Sequence, residues 1–178
     1  IGNGIPVLVR RALLHVGASK DLADDVITSM LSYSHKYYCE KSSLMHGVKH
    51  CLEGLKKRAI PMSICTNKDE KVARMVVSAL GLDSYFNAIV GSRPDLVKKP
   101  DPSMLQIAAE AINSPMETTM MIGDSEVDAA TGIAANSVSV IVRGGYCHKP
   151  YEDLNVTHLL DSMEELLDIM DNQYLISA

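Results

Sequence analysis

Met120-Met-Ile-Gly-Asp-Ser-Glu-Val-Asp-Ala-Ala-Thr-Gly-Ile-Ala-Ala-Asn136 is the stretch on which the fold turns. Met120 to Ile122 read as the end of a buried strand, Gly123 permits a tight turn, and the alanine-rich run from Ser125 is helix-forming. The unit is therefore strand, turn, helix. Asp124 falls at the carboxyl end of the strand, where open α/β sheets bind ligands. Asp128 follows four residues later, on the same helix face. Two converging carboxylates repel unless a cation neutralises them, and oxygen ligands suit Mg²⁺. A second reading stays open at this point, in which Asp124 caps the helix and Asp128 faces solvent.

Working outward from this unit, the chain of 178 residues has room for one ordinary domain with a small accessory piece. Hydrophobic residues make up 47% and charged residues 22%, a globular balance that argues against disorder. No apolar run is long enough to span a bilayer, so no membrane role is expected. The net charge of −5 disfavours nucleic-acid binding, which needs clustered Lys and Arg, and points to a small-molecule target. Cys39, Cys51, Cys65 and Cys147 form no C-x-x-C pair, and reduced thiols in a cytoplasmic protein are expected. Monomer and homodimer are equally open. Residue 1 is Ile, so the sequence is not expected to begin where translation begins.

Residues 1 to about 42 read as helical, with apolar positions Ile5, Val7, Leu8, Ala12, Leu13 and Val16 at helical spacing. A second helix, capped by Ser19, is expected to run to about Glu40 with Val26, Met30, Tyr33 and Tyr37 buried. His35/Cys39 and His46/His50 are spaced as metal-ligand pairs, but no third ligand is evident, and structural or surface roles are expected. Beyond Gly47 helices alternate with strands, which signals a parallel α/β sheet over 43–178. Strands are expected at Met62–Cys65, Ala88–Val90, Met120–Ile122, Val138–Val142 and Leu159–Leu160. Thr66, Lys99 and Asp124 then follow the carboxyl ends of successive strands. Together they offer a hydroxyl, a fixed cation and a metal ligand, the equipment of phosphoryl transfer.

The ordered set Thr66-Asn67-Lys68, Lys99-Pro100-Asp101-Pro102 and Gly123-Asp124-Ser125-Glu126-Val127-Asp128 resembles motifs two, three and four of the haloacid dehalogenase-like hydrolases. Gly2-Asn3-Gly4, Arg11-Ala12-Leu13 and Gly144-Gly145-Tyr146 resemble the phosphoglycolate phosphatase group within that superfamily. The resemblance implies a Rossmann-like three-layer core with a helical cap, residues 1–42 being most of that cap. It implies that Thr66 and the Asn67 amide hold the phosphoryl group, Lys99 steadies the phosphoryl charge and the nucleophile, Asp124 ligates Mg²⁺, and Asp128 supports the metal and the chemistry. The implied activity is hydrolysis of a small phosphorylated metabolite, 2-phosphoglycolate first among them, through an aspartyl-phosphate. A cap arginine, Arg11 in preference to Arg10, would meet the substrate carboxylate. The alternatives are a sugar phosphomutase, a pyrophosphatase, or an inactive binding protein.

One departure from the family pattern matters most. Motif one, an Asp-x-Asp after an apolar strand that supplies the nucleophile and the acid/base, occurs nowhere before Asp21. By the resemblance, that segment also carries the central strand. The strands of Cys65 and Val90 are therefore expected to stand apart from those of Ile122 and Val142, and the 178 residues are expected to be inactive alone. Lys99, read as a loop lysine, is expected to matter for turnover and little for folding.

Overall fold

The computed structural model describes residues 4–175, so Gly2 and Asn3 of the Gly2-Asn3-Gly4 start lie outside the described residues. The first elements are helices α1 (Ile5–His15) and α2 (Ala23–Lys36), which pack on each other with a short 3₁₀ turn between them. Ser19 caps that turn by accepting the Asp21 N–H. The inward side of α2 is Ala23, Val26, Ile27, Leu31 and Ser34. The expectation for this helix is corrected in part, because Met30, Tyr33 and Tyr37 are exposed, Tyr33 to 64%. Spacing locates a helix face but not which face meets a neighbour, and here the smaller side chains face inward.

The α/β part follows in alternation: α3 (Val48–Lys57), β1 (Ser63–Asp69), α4 (Glu70–Ala79), β2 (Ala88–Ser92), α5 (Ser103–Glu110), β3 (Met120–Gly123), α6 (Glu126–Ala134), β4 (Val138–Val142), β5 (His158–Leu160) and α7 (Glu165–Ile169). Every pairing is parallel: β1 with β2, β3 with β4, and β4 with β5. Side chains of β4 alternate between faces, as pleating demands. Val140 and Val142 join Leu55 of α3 and Leu166 of α7, whereas Ile141 meets Ala129 of α6. Both faces are thus covered, giving the three layers that a parallel sheet requires.

The strands form two sheets, β1 with β2 and β3 with β4 and β5, and among the described residues no ladder joins them. The division falls between the strands of Cys65 and Ile122. Side chains bridge where backbones do not pair: Cys65 of β1 packs against the cluster formed by Met121 of β3, Leu105 of α5 and Ala135. No described helix is long and apolar enough to cross a membrane.

Candidate active site

β1 runs past its expected end at Cys65 to Asp69, and its register with β2 is irregular between those two residues. An irregular stretch turns backbone groups away from the ladder, and Thr66, Asn67 and Lys68 lie in it. The Thr66 hydroxyl oxygen accepts the Lys68 N–H at 3.2 Å. Asp69 caps α4 by accepting the Val72 N–H, so Thr66 is not spent as a helix cap. Asn67 is buried, and its side chain ties this loop to the next. Its Nδ2 donates to the Lys99 carbonyl and its Oδ1 accepts the Lys99 N–H, both at 2.9 Å. The motif resemblance gives Asn67 a phosphoryl contact and carries no signal for this clamp, which joins residues far apart in the chain.

Lys99 is 8% exposed, which corrects the expectation of a loop lysine of little weight in folding. Its ammonium donates to Asp128 Oδ1 at 2.6 Å and to the Cys65 carbonyl at 2.9 Å. Breaking a buried pair leaves an uncompensated charge and costs about 3 to 5 kcal/mol. Asp128 Oδ2 accepts from the Ser125 hydroxyl at 2.7 Å and from the N–H groups of Asp124 and Ser125 at 3.2 Å. Burial raises the pKa of Asp128, but the Lys99 charge and these hydrogen bonds outweigh it, leaving the carboxyl below its ordinary range. Ser125 and Asp128 form the capping box of α6, so neither half of the capping alternative holds: Asp124 is not the cap, and Asp128 is buried.

Asp124, half-buried, projects from the end of β3 and accepts the Tyr146 N–H at 3.2 Å. Burial first, then the neighbouring Asp128 charge, raises its pKa above the usual carboxylate range. The loop after β4 closes on this carboxylate because residue 145 is glycine. A Cβ there would land inside the Asp124 side chain. The same loop is held a second time, by the His148 N–H donating to Glu126 at 3.0 Å.

These groups line one cleft of about 420 Å³ between the α1/α2 pair and the strand ends. Thr66, Asn67, Lys99, Asp124 and Asp128 are brought together there, and Gly4, Leu8, Leu31 and His35 line it from the helical pair. Arg11 is exposed on α1 and is not among the lining residues, whereas Lys68 and Lys98 are. Of the two spaced pairs, His46 approaches Glu164 at 3.8 Å, and among the described residues no group of three His, Cys, Asp or Glu is arranged around a metal position. The residues present fit Mg²⁺ in the manner of a site that keeps several waters and uses few carboxylates. Asp124 stands half-buried at the cleft beside a second negative charge, that of Asp128, which a cation would offset. Asp128 is committed to Lys99 and the capping box, so it supports such a site from behind.

All four cysteines are free, and two are shielded. Burial pushes the thiols of Cys51 and Cys65 up to about 11. Both are therefore expected to resist alkylation at pH 8 in the native protein. Since the folded pKa exceeds the unfolded value, their contribution is present below pH 9.0 and is lost as pH rises towards about 11. A stability that falls across that window, and falls less in a Cys51→Ala, Cys65→Ala variant, checks the sign.

A model of the haloacid dehalogenase-like hydrolases matches residues 1–136. A phosphoglycolate phosphatase of Cereibacter sphaeroides is 33% identical over 173 residues, covering 96% of this chain and 78% of the relative. One from Pseudomonas syringae pv. syringae is 32% identical over 173 residues, and there the chain spans 63% of the relative's length. Among solved structures, a predicted phosphoglycolate phosphatase from Haemophilus somnus superposes with a TM-score of 0.85 at 23% identity, covering 96% of this chain and 79% of that one, a likeness of fold.

Proposed function

The chain belongs to the haloacid dehalogenase-like hydrolases, and from that premise we propose that it is the greater part of a Mg²⁺-dependent phosphatase acting on a small phosphorylated metabolite, 2-phosphoglycolate first among the candidates. The observation that carries this reading is the convergence of Thr66, Lys99 and Asp124 in one cleft, with Lys99 paired to Asp128. The Thr66 hydroxyl, only half-buried, donates to a phosphoryl oxygen. Asn67 sets the height of the Lys99 backbone, so the ammonium is presented at a fixed point. Lys99 has already exchanged water for Asp128 and the Cys65 carbonyl, so it needs no reorganisation as charge develops. Mg²⁺ at Asp124 would supply neutralisation of the phosphoryl oxygens.

The nucleophile is the remaining part. A parallel strand seated between β1 and β3, from a segment other than these 178 residues, would carry an aspartate into the cleft opposite Thr66. The split of the sheet at that position supports this. Its carboxylate would attack phosphorus as the P–O bond to the substrate breaks, with the second aspartate of the same Asp-x-Asp segment giving the departing oxygen its proton. Water, returning a proton to that second aspartate, would then attack the aspartyl-phosphate, releasing phosphate and regenerating the carboxylate. On this reading the described residues alone bind phosphate but do not turn over. Phosphate release by the full-length protein carrying this chain, with and without Mg²⁺, tests the reading.

A further inference from the structure

We infer that Glu126 is a positioning residue for the cation at Asp124: by latching the loop of residues 144–149, it fixes the direction of the Asp124 carboxylate. This rests on the reading of Asp124 as the Mg²⁺ ligand and gives a role to a residue to which the motif resemblance assigns none. The loop follows the end of β4 at Val142, lies against the turn between β3 and α6, and brings Tyr146 to the cleft. Among the described residues, no backbone–backbone hydrogen bond involves residues 144–149. Side chains hold the loop instead. The Gly144 N–H donates to the Tyr151 hydroxyl at 3.1 Å, the Tyr146 N–H to Asp124 Oδ2 at 3.2 Å, and the His148 N–H to Glu126 Oε2 at 3.0 Å.

Asp124 and Glu126 flank Ser125 on one turn, and they take the N–H groups of residues 146 and 148, which flank Cys147 in the same sense. That turn is a firm base, because Ser125 and Asp128 close the capping box of α6 and Glu126 is the first residue of the helix. Gly145 lies against the Asp124 side chain with no room for a Cβ, so a shift of the loop moves the Asp124 oxygens directly. A loop anchored by Asp124 alone would carry that carboxylate with it. Glu126 supplies an anchor that does not line the cleft, so it holds the loop without competing for the cation. Groups that orient a metal ligand from behind govern affinity by about 10- to 100-fold.

The experiment measures Mn²⁺ binding by electron paramagnetic resonance in the full-length protein and its Glu126→Ala and Glu126→Gln variants. Alanine removes the acceptor, whereas glutamine removes the charge and keeps an oxygen for the His148 N–H. Alanine is expected to weaken Mn²⁺ binding by ~10-fold or more and glutamine by ~3-fold or less. Limited chymotrypsin cleavage after Tyr146, read by mass, is expected to quicken in the alanine variant and not in the glutamine variant. Unchanged Mn²⁺ affinity or unchanged cleavage in the alanine variant overturns the inference. So does a glutamine variant that binds as weakly as alanine, which makes the effect one of charge at a distance, and so does an alanine variant that fails to fold. In each of these cases the phosphatase reading stands. A wild type that binds no Mn²⁺ overturns the reading of Asp124 as a metal ligand and this inference with it.

Discussion

Exchanging Asp124 for asparagine lowers Mg²⁺-dependent phosphate release by ~10³-fold or more, while the metal-free protein unfolds at an equal or higher temperature. The two halves of this result have one cause. The Asp124 carboxylate is half-buried beside the Asp128 charge, and both push its pKa above the ordinary value. A raised folded pKa means that the group's stabilising contribution is present only at low pH and is lost as pH rises, so at neutral pH the ionised form costs stability. A cation would offset that cost. Asparagine removes the charge and keeps an oxygen for the Tyr146 N–H, now 3.2 Å from Oδ2. Parallel measurement of phosphate release and thermal unfolding checks it. Activity and stability falling together would make Asp124 a structural residue.

Replacing Lys99 by methionine has the second large effect, and here activity and stability fall together. The ammonium is buried and 2.6 Å from Asp128, so its removal strands a buried carboxylate and costs about 3 to 5 kcal/mol. On the proposed function that charge faces the phosphoryl group, and its loss costs ~10²-fold or more in turnover. The two effects separate in the double variant with Asp128→Asn. Asparagine still accepts hydrogen bonds from Ser125 but carries no charge, so stability recovers in part and turnover does not. Chemical denaturation and steady-state kinetics on the single and double variants decide this. A double variant as unstable as Lys99→Met would place the cost in packing around the lysine stem.

Much of this site is legible from the sequence because it is written locally. The strand, turn and helix around Asp124, the order of the three loops, and the separation of β1 and β2 from β3 and β4 follow from short runs of residues and from motif resemblance. What is not legible depends on pairs distant in the chain. A Lys-Lys-Pro loop reads as solvated charge, and the burial of Lys99 follows only once the β1 and β3 ends converge on it. The Asn67 clamp on Lys99 has no local signature. Gly145 carries a resemblance in sequence as part of Gly144-Gly145-Tyr146, but its physical need becomes visible only when Asp124 occupies the space where a Cβ would go. Ser125 and Asp128 do carry a local signal, the spacing of a capping box, but a carboxylate four residues after Asp124 reads equally as half of a metal pair. The α2 face is misjudged for a related reason: Met30, Tyr33 and Tyr37 share a stripe, but contact with α1 and the cleft selects Leu31 and Ser34.

Phosphate release from 2-phosphoglycolate by the full-length protein carrying this chain, measured at saturating Mg²⁺ and again after chelation with EDTA, bears most directly on the assignment. Turnover in the ordinary enzymatic range of ~1 to 10³ s⁻¹, lost on chelation and restored by added Mg²⁺, is the expected result. A folded protein that releases no phosphate from this ester or from an aryl phosphate at any Mg²⁺ concentration would contradict it.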